Sequence, residues 1–112
     1  MSQTLLTRGL QDFETALQTS EKPLVLDFYA DWCAPCRMQA PFFQQAEAVL
    51  NGQAAFYKID IEQQPELAAR FGVMSIPTIA IAQGGQTRWR SVGVTGKEEI
   101  VAAVWEITGQ NL

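Results

Sequence analysis

Residues 24–29, Leu-Val-Leu-Asp-Phe-Tyr, are apolar on both alternations apart from Asp27, and a strand of that kind must be covered on both of its faces. That requirement selects a sheet enclosed between two layers of helix, an α/β architecture. The run leads into Trp32-Cys33-Ala34-Pro35-Cys36, and helix-forming residues continue from Met38 to Leu50. Cys33 therefore falls at a strand-to-helix junction, where unpaired N–H groups and the positive end of the helix dipole favour negative charge. The thiolate is the attacking species in disulfide exchange, so this placement by itself supplies reactivity.

Other segments fit the same architecture. Leu10, Phe13, Ala16 and Leu17 recur at helical spacing and predict a helix over about residues 9–19, with Leu5-Leu6 as a short strand before it. The second helix is expected from about Cys33 to Leu50, kinked at Pro41 and stopped at Asn51-Gly52. Residues 55–61 read as another buried strand, followed by a short helix that Pro65 opens and that closes near Phe71-Gly72. Residues 73–76 form a loop. Residues 78–82 and 87–92, joined across Gly84-Gly85, predict an antiparallel hairpin. Thr95-x-x-Glu98 has the form of a capping box opening a last helix, with Ile100, Val101, Val104 and Ile107 near one face and Gly109 at its end. The expected order is β-α-β-α-β-α-β-β-α: a mixed sheet of about five strands flanked by about four helices, in one domain over residues 1–112.

A chain of 112 residues, 47% hydrophobic, can bury one core. Its net charge of −4, with no basic stripe, argues against a nucleic-acid partner. Polar residues interrupt every apolar stretch between Met1 and Ser20, so neither a leader nor a membrane span is read there, and a soluble, cytoplasmic, monomeric protein is expected.

Cys33 and Cys36 are the only cysteines, and the chain has no histidine. A structural disulfide across so short a loop removes little unfolded-state entropy, and a zinc site needs about two further ligands, so no metal is expected and a redox dithiol is the favoured reading. Cys33, at the helix mouth, is the better nucleophile, while Cys36 lies one turn deeper. Asp27 interrupts an apolar strand. In a dry site its carboxyl is driven toward the neutral form, and at a strand end it would be an ordinary solvated group. Lys58, within Phe56-Tyr57-Lys58-Ile59, is equally out of place, or else it snorkels to the surface. Pro77 opens a strand, where its missing N–H is tolerable. Trp32, Ala34, Pro35, Ile76, Pro77, Val92 and Gly93 are expected to form an exposed apolar patch around the thiols. Phe28, Phe42, Phe43, Phe71, Trp89 and Trp105 read as core or ordinary surface aromatics.

Taken together, Asp27-Phe28-Tyr29-Ala30-Asp31-Trp32-Cys33-Ala34-Pro35-Cys36-Arg37-Met38, Pro41, Ser75-Ile76-Pro77-Thr78 and Val92-Gly93 resemble the thioredoxin family over essentially the whole chain. The resemblance implies the thioredoxin fold and protein disulfide reductase activity, with Cys33 attacking and Cys36 resolving. It implies that Asp27 moves protons to and from Cys36, that Lys58 partners Asp27, and that a cis Ile76–Pro77 bond faces the dithiol and offers backbone to an extended substrate. It also implies no bound cofactor, disulfide-containing protein substrates, and recharging by a separate reductase of the thioredoxin-reductase kind, drawing on NADPH. The alternatives are a thiol oxidase or isomerase on the same fold, or a binding or holdase subunit whose thiols are incidental. Ala34 departs from the family's commonest Gly-Pro dipeptide, and the added helix bias is expected to move the reduction potential.

Overall fold

In the computed structural model, residues 2–6 and 9–109 are described. The elements are β1 (Gln3–Thr4), α1 (Leu10–Thr19), β2 (Leu24–Tyr29), α2 (Ala34–Leu50), β3 (Ala55–Asp60), α3 (Pro65–Arg70), β4 (Thr78–Gln83), β5 (Gln86–Val92) and α4 (Lys97–Thr108). The sheet runs β1-β3-β2-β4-β5. β1, β3 and β2 are mutually parallel, β4 runs antiparallel to β2, and β5 runs antiparallel to β4. The doubly apolar strand β2 is thus central, as its composition requires.

Alternation along the strands divides the core in two. Leu24, Leu26 and Phe28 join Tyr57, Ile59, Ala80 and Ala82 against Phe13 and Leu17 of α1 and Leu67 of α3. Val25, Phe56, Ile79 and Ile81 face Phe43, Ala46 and Leu50 of α2 and Ile100, Val101 and Val104 of α4. By the same alternation Asp27, Tyr29 and Lys58 belong to the second face, beneath the helix that carries the cysteines. Full burial of a large side chain contributes about 1.5–3 kcal/mol, and Phe28, Phe43, Ile79, Ile81 and Ile100 are all completely buried. Two rings, Phe43 and Phe56, meet edge to face at 5.0 Å.

Helix α2 continues across Pro41 and ends at Asn51, whose left-handed φ of 44° closes it. The β4–β5 turn uses Gly84 and Gly85 at φ 63° and 78°, the double positive φ that a tight hairpin demands.

Two of these expectations need correction. The first strand is Gln3–Thr4 rather than Leu5-Leu6. Leu5 follows it, bonding through its N–H to the Lys58 carbonyl at 3.0 Å and burying its side chain, while Leu6 is exposed. The second helix starts where it is expected, at Ala34 with Cys33 as its cap. Thr95, by contrast, is not a capping residue: α4 is capped by Gly96 with no side-chain hydrogen bond. Thr95 is buried instead, its hydroxyl within hydrogen-bond distance of Ser91 Oγ at 2.8 Å and of the Gly93 carbonyl at 3.1 Å.

Candidate active site

Cys33 stands where β2 has ended and α2 begins, in extended backbone conformation at φ −91° and ψ 108°. The next turn must leave several N–H groups without helical partners. One of them, the Cys36 N–H, donates to Cys33 Sγ at 3.3 Å. Pro35, in the first turn, removes an N–H that would have had no partner, at no cost to the helix. The two cysteines are joined as a disulfide with Cα atoms 5.3 Å apart, and each side chain is almost fully covered. When the bond is reduced, the same N–H and helix end face a sulfur that can carry charge.

The Ile76–Pro77 peptide is cis, and the Ile76 carbonyl oxygen lies 3.9 Å from Cys33 Sγ. A groove of about 470 Å³ opens beside the disulfide, between the start of α2 and the loop that precedes β4. Trp32, Ala34, Pro35 and Ile76 line it as expected, together with Ile61, Ala68, Val73 and Met74, which the motifs did not single out. Met74 is 94% exposed. Its signal was a large apolar residue in the loop between Gly72 and Pro77. Trp32 is exposed, and its indole N–H donates to Glu62 Oε2 at 3.0 Å; thirty residues separate the pair, and no local pattern links them. A larger open concavity of about 640 Å³ is lined by Lys22, Gln44, Asn51 and their neighbours and contains neither cysteine.

The exposed patch is narrower than expected. Trp32, Ala34, Pro35 and Val92 are exposed and Ile76 and Gly93 half-buried, but Pro77 is buried. Pro77 immediately precedes β4, and its carbonyl accepts the Gly93 N–H at 2.9 Å.

Asp27 is 1% exposed, and neither carboxylate oxygen has a hydrogen-bond partner among the described residues. Burial pushes its carboxyl from 3.8 up to about 7, against a weaker opposing pull from the Lys58 charge. Lys58 sits opposite Asp27 in the β2–β3 register. Its ammonium lies 4.6 Å above the Tyr29 ring, and it acts on Asp27 through space. Lys58 is half-buried, between the two readings its sequence allowed.

No group of three or more His, Cys, Asp or Glu side chains among the described residues could hold a metal ion. No helix among them is long and apolar enough to cross a membrane.

The thioredoxin family model matches residues 4–106. Thioredoxin 1 of Chlorobaculum tepidum is 37% identical over 99 residues, covering 88% of this chain and 98% of that protein. A bifunctional thioredoxin reductase/thioredoxin of Mycobacterium leprae is 41% identical over 83 residues, 74% of this chain and 18% of that protein. The crystal structure of Malassezia sympodialis thioredoxin superposes with a TM-score of 0.82 at 27% identity, covering 95% of this chain and 90% of the other. With a family match across nearly its whole length and a disulfide at the mouth of α2, the chain belongs to the thioredoxin family, and its Cys33–Cys36 pair is the redox couple of a protein disulfide reductase.

Proposed function

We propose that Cys33 is the attacking sulfur and Cys36 the resolving one. The observation that carries this is the Cys36 N–H directed at Cys33 Sγ from the first turn of α2. In the reduced protein the Cys33 thiolate attacks one sulfur of a substrate disulfide. A Cys33–substrate bond forms, the substrate S–S bond breaks, and the departing sulfur leaves as a thiolate that takes a proton. Cys36 then loses its proton and attacks Cys33 Sγ. The internal disulfide closes, the second substrate sulfur is released, and two electrons have passed to the substrate.

Asp27 is the group proposed to accept the Cys36 proton. A carboxyl that titrates at about 7 holds both protonation states at neutral pH, the condition under which general acid–base transfer is most effective. Lys58 limits how far that carboxyl is raised. Trp32, Ala34, Pro35, Ile76, Val92 and Gly93 form the docking surface, and Pro77 supports it from within. Disulfide-containing proteins are the substrates, and their extended backbone pairs beside Ile76. Two electrons and two protons return from a separate NADPH-dependent reductase. The fusion of reductase and thioredoxin in the Mycobacterium leprae relative supports that donor. The protein works as a cytoplasmic monomer with no bound cofactor.

Replacement of Cys36 by serine is the test. Mass spectrometry of the reduced variant mixed with a disulfide-bonded protein is expected to find a stable adduct through Cys33. Recovery of free variant alone would reverse the assigned order of attack.

A further inference from the structure

Gln39 is a completely buried polar side chain that the redox cycle does not use. It lies one turn beyond Cys36 on α2, and both ends of its amide are engaged by one distant residue. Its Nε2 donates to the Thr95 carbonyl at 2.9 Å, and its Oε1 accepts the Thr95 N–H at 2.7 Å. This pair replaces the backbone partners that Thr95 lacks between the end of β5 and the start of α4. The connections continue outward. The Thr95 hydroxyl lies 3.1 Å from the Gly93 carbonyl and 2.8 Å from Ser91 Oγ. The Gly93 N–H donates to the Pro77 carbonyl at 2.9 Å. One continuous set of hydrogen bonds thus runs from the cysteine-bearing helix through the end of β5 to Pro77, the neighbour of Ile76, whose carbonyl oxygen lies 3.9 Å from Cys33 Sγ.

We propose that Gln39 is a positioning residue for substrate docking: its amide, clamped on the Thr95 backbone, holds the Val92–Gly93 edge in register with Pro77 beside the dithiol. The proposal rests on the docking role assigned above to Ile76, Val92 and Gly93. An apolar side chain of similar length would satisfy the packing of α2 but would leave the Thr95 N–H and carbonyl buried and unpaired. Two lost buried bonds are sufficient to loosen a short connection. Gln39 contacts neither sulfur by hydrogen bond, so the chemistry of Cys33 toward a reagent that needs no docking surface should not change.

The experiment compares wild type with Gln39→Met using two probes: a disulfide-bonded protein under steady-state turnover, and iodoacetamide alkylation of reduced Cys33 as a function of pH. The expected result is a KM for the protein substrate raised about tenfold, equivalent to ~1.4 kcal/mol, with kcat and the alkylation profile unchanged. An unchanged KM overturns the proposal. So does a displaced alkylation profile, which would mean that Gln39 acts on the thiol itself. Should Gln39→Met not fold, Thr95→Val gives the second reading. It keeps the backbone clamp, removes the hydroxyl's link to Gly93, and is expected to raise KM without altering alkylation; an unchanged KM there also overturns the proposal. Val92→Asp, on the exposed docking edge itself, separates the two failures: a KM raised by Val92→Asp but not by Gln39→Met overturns the Gln39 proposal alone, whereas a KM unmoved by either overturns the docking role on which it rests.

Discussion

Asp27→Asn removes the ability of the buried carboxyl to ionise while keeping its shape and polarity. The Asp27 carboxyl is raised from 3.8 to about 7 by burial, so between those values the folded protein binds a proton that the unfolded chain has already released. Folding stability therefore falls as pH rises from about 4 to about 7, and the loss is complete above that window. At 1.36 kcal/mol per pH unit the full displacement corresponds to roughly 4 kcal/mol, and hydration and relaxation of the ionised site lower the expected plateau to roughly 2–4 kcal/mol. Asparagine mimics the protonated acid, so the variant should match the wild type near pH 4 and be more stable by that plateau at pH 8.5. Urea unfolding of both oxidised proteins at several pH values measures the difference directly, with contributions from every other titrating group cancelling. A stability difference that does not vary between pH 4 and 8.5 would refute the reasoning. The same variant should reduce protein disulfides more slowly at neutral pH, having lost its proton acceptor.

Lys58→Met removes the charge that opposes the effect of burial on Asp27. The acid limb of the turnover–pH profile should move to higher pH, and the loss of stability with rising pH should extend beyond pH 7; an unmoved limb in steady-state assays would show that the two groups are uncoupled. Phe43→Ala empties a fully buried site against Phe56 and should cost about 3–5 kcal/mol in denaturant unfolding, with turnover retained at temperatures where the variant remains folded.

The parts of the fold that could be read from sequence are those fixed by local pattern. The doubly apolar run of β2, the dithiol at the start of α2, the paired glycines of the hairpin and the lone carboxylate of Asp27 each carry their signal within a few residues. Features set by long-range partners were not legible in this way. Thr95 and Glu98 have the spacing of a capping box, but Gln39, 56 residues away, takes the Thr95 backbone, and Gly93 and Ser91 engage its hydroxyl. Leu5-Leu6 looked like the core of a strand because both are apolar, whereas pairing with β3 places the strand two residues earlier and buries only Leu5. The motif places Pro77 at the surface with its neighbours. It is buried just before the interior strand β4, while the exposed Met74, which no motif marks, joins the groove lining.

The most direct measurement is the pH dependence of Cys33 alkylation in the reduced protein, read by mass spectrometry against Cys36. A sulfur that receives an N–H at 3.3 Å at a helix mouth should react first, with a midpoint well below the value of about 8.5 typical of free cysteine. A midpoint at or above about 8.5, or preferential labelling of Cys36, would contradict the account.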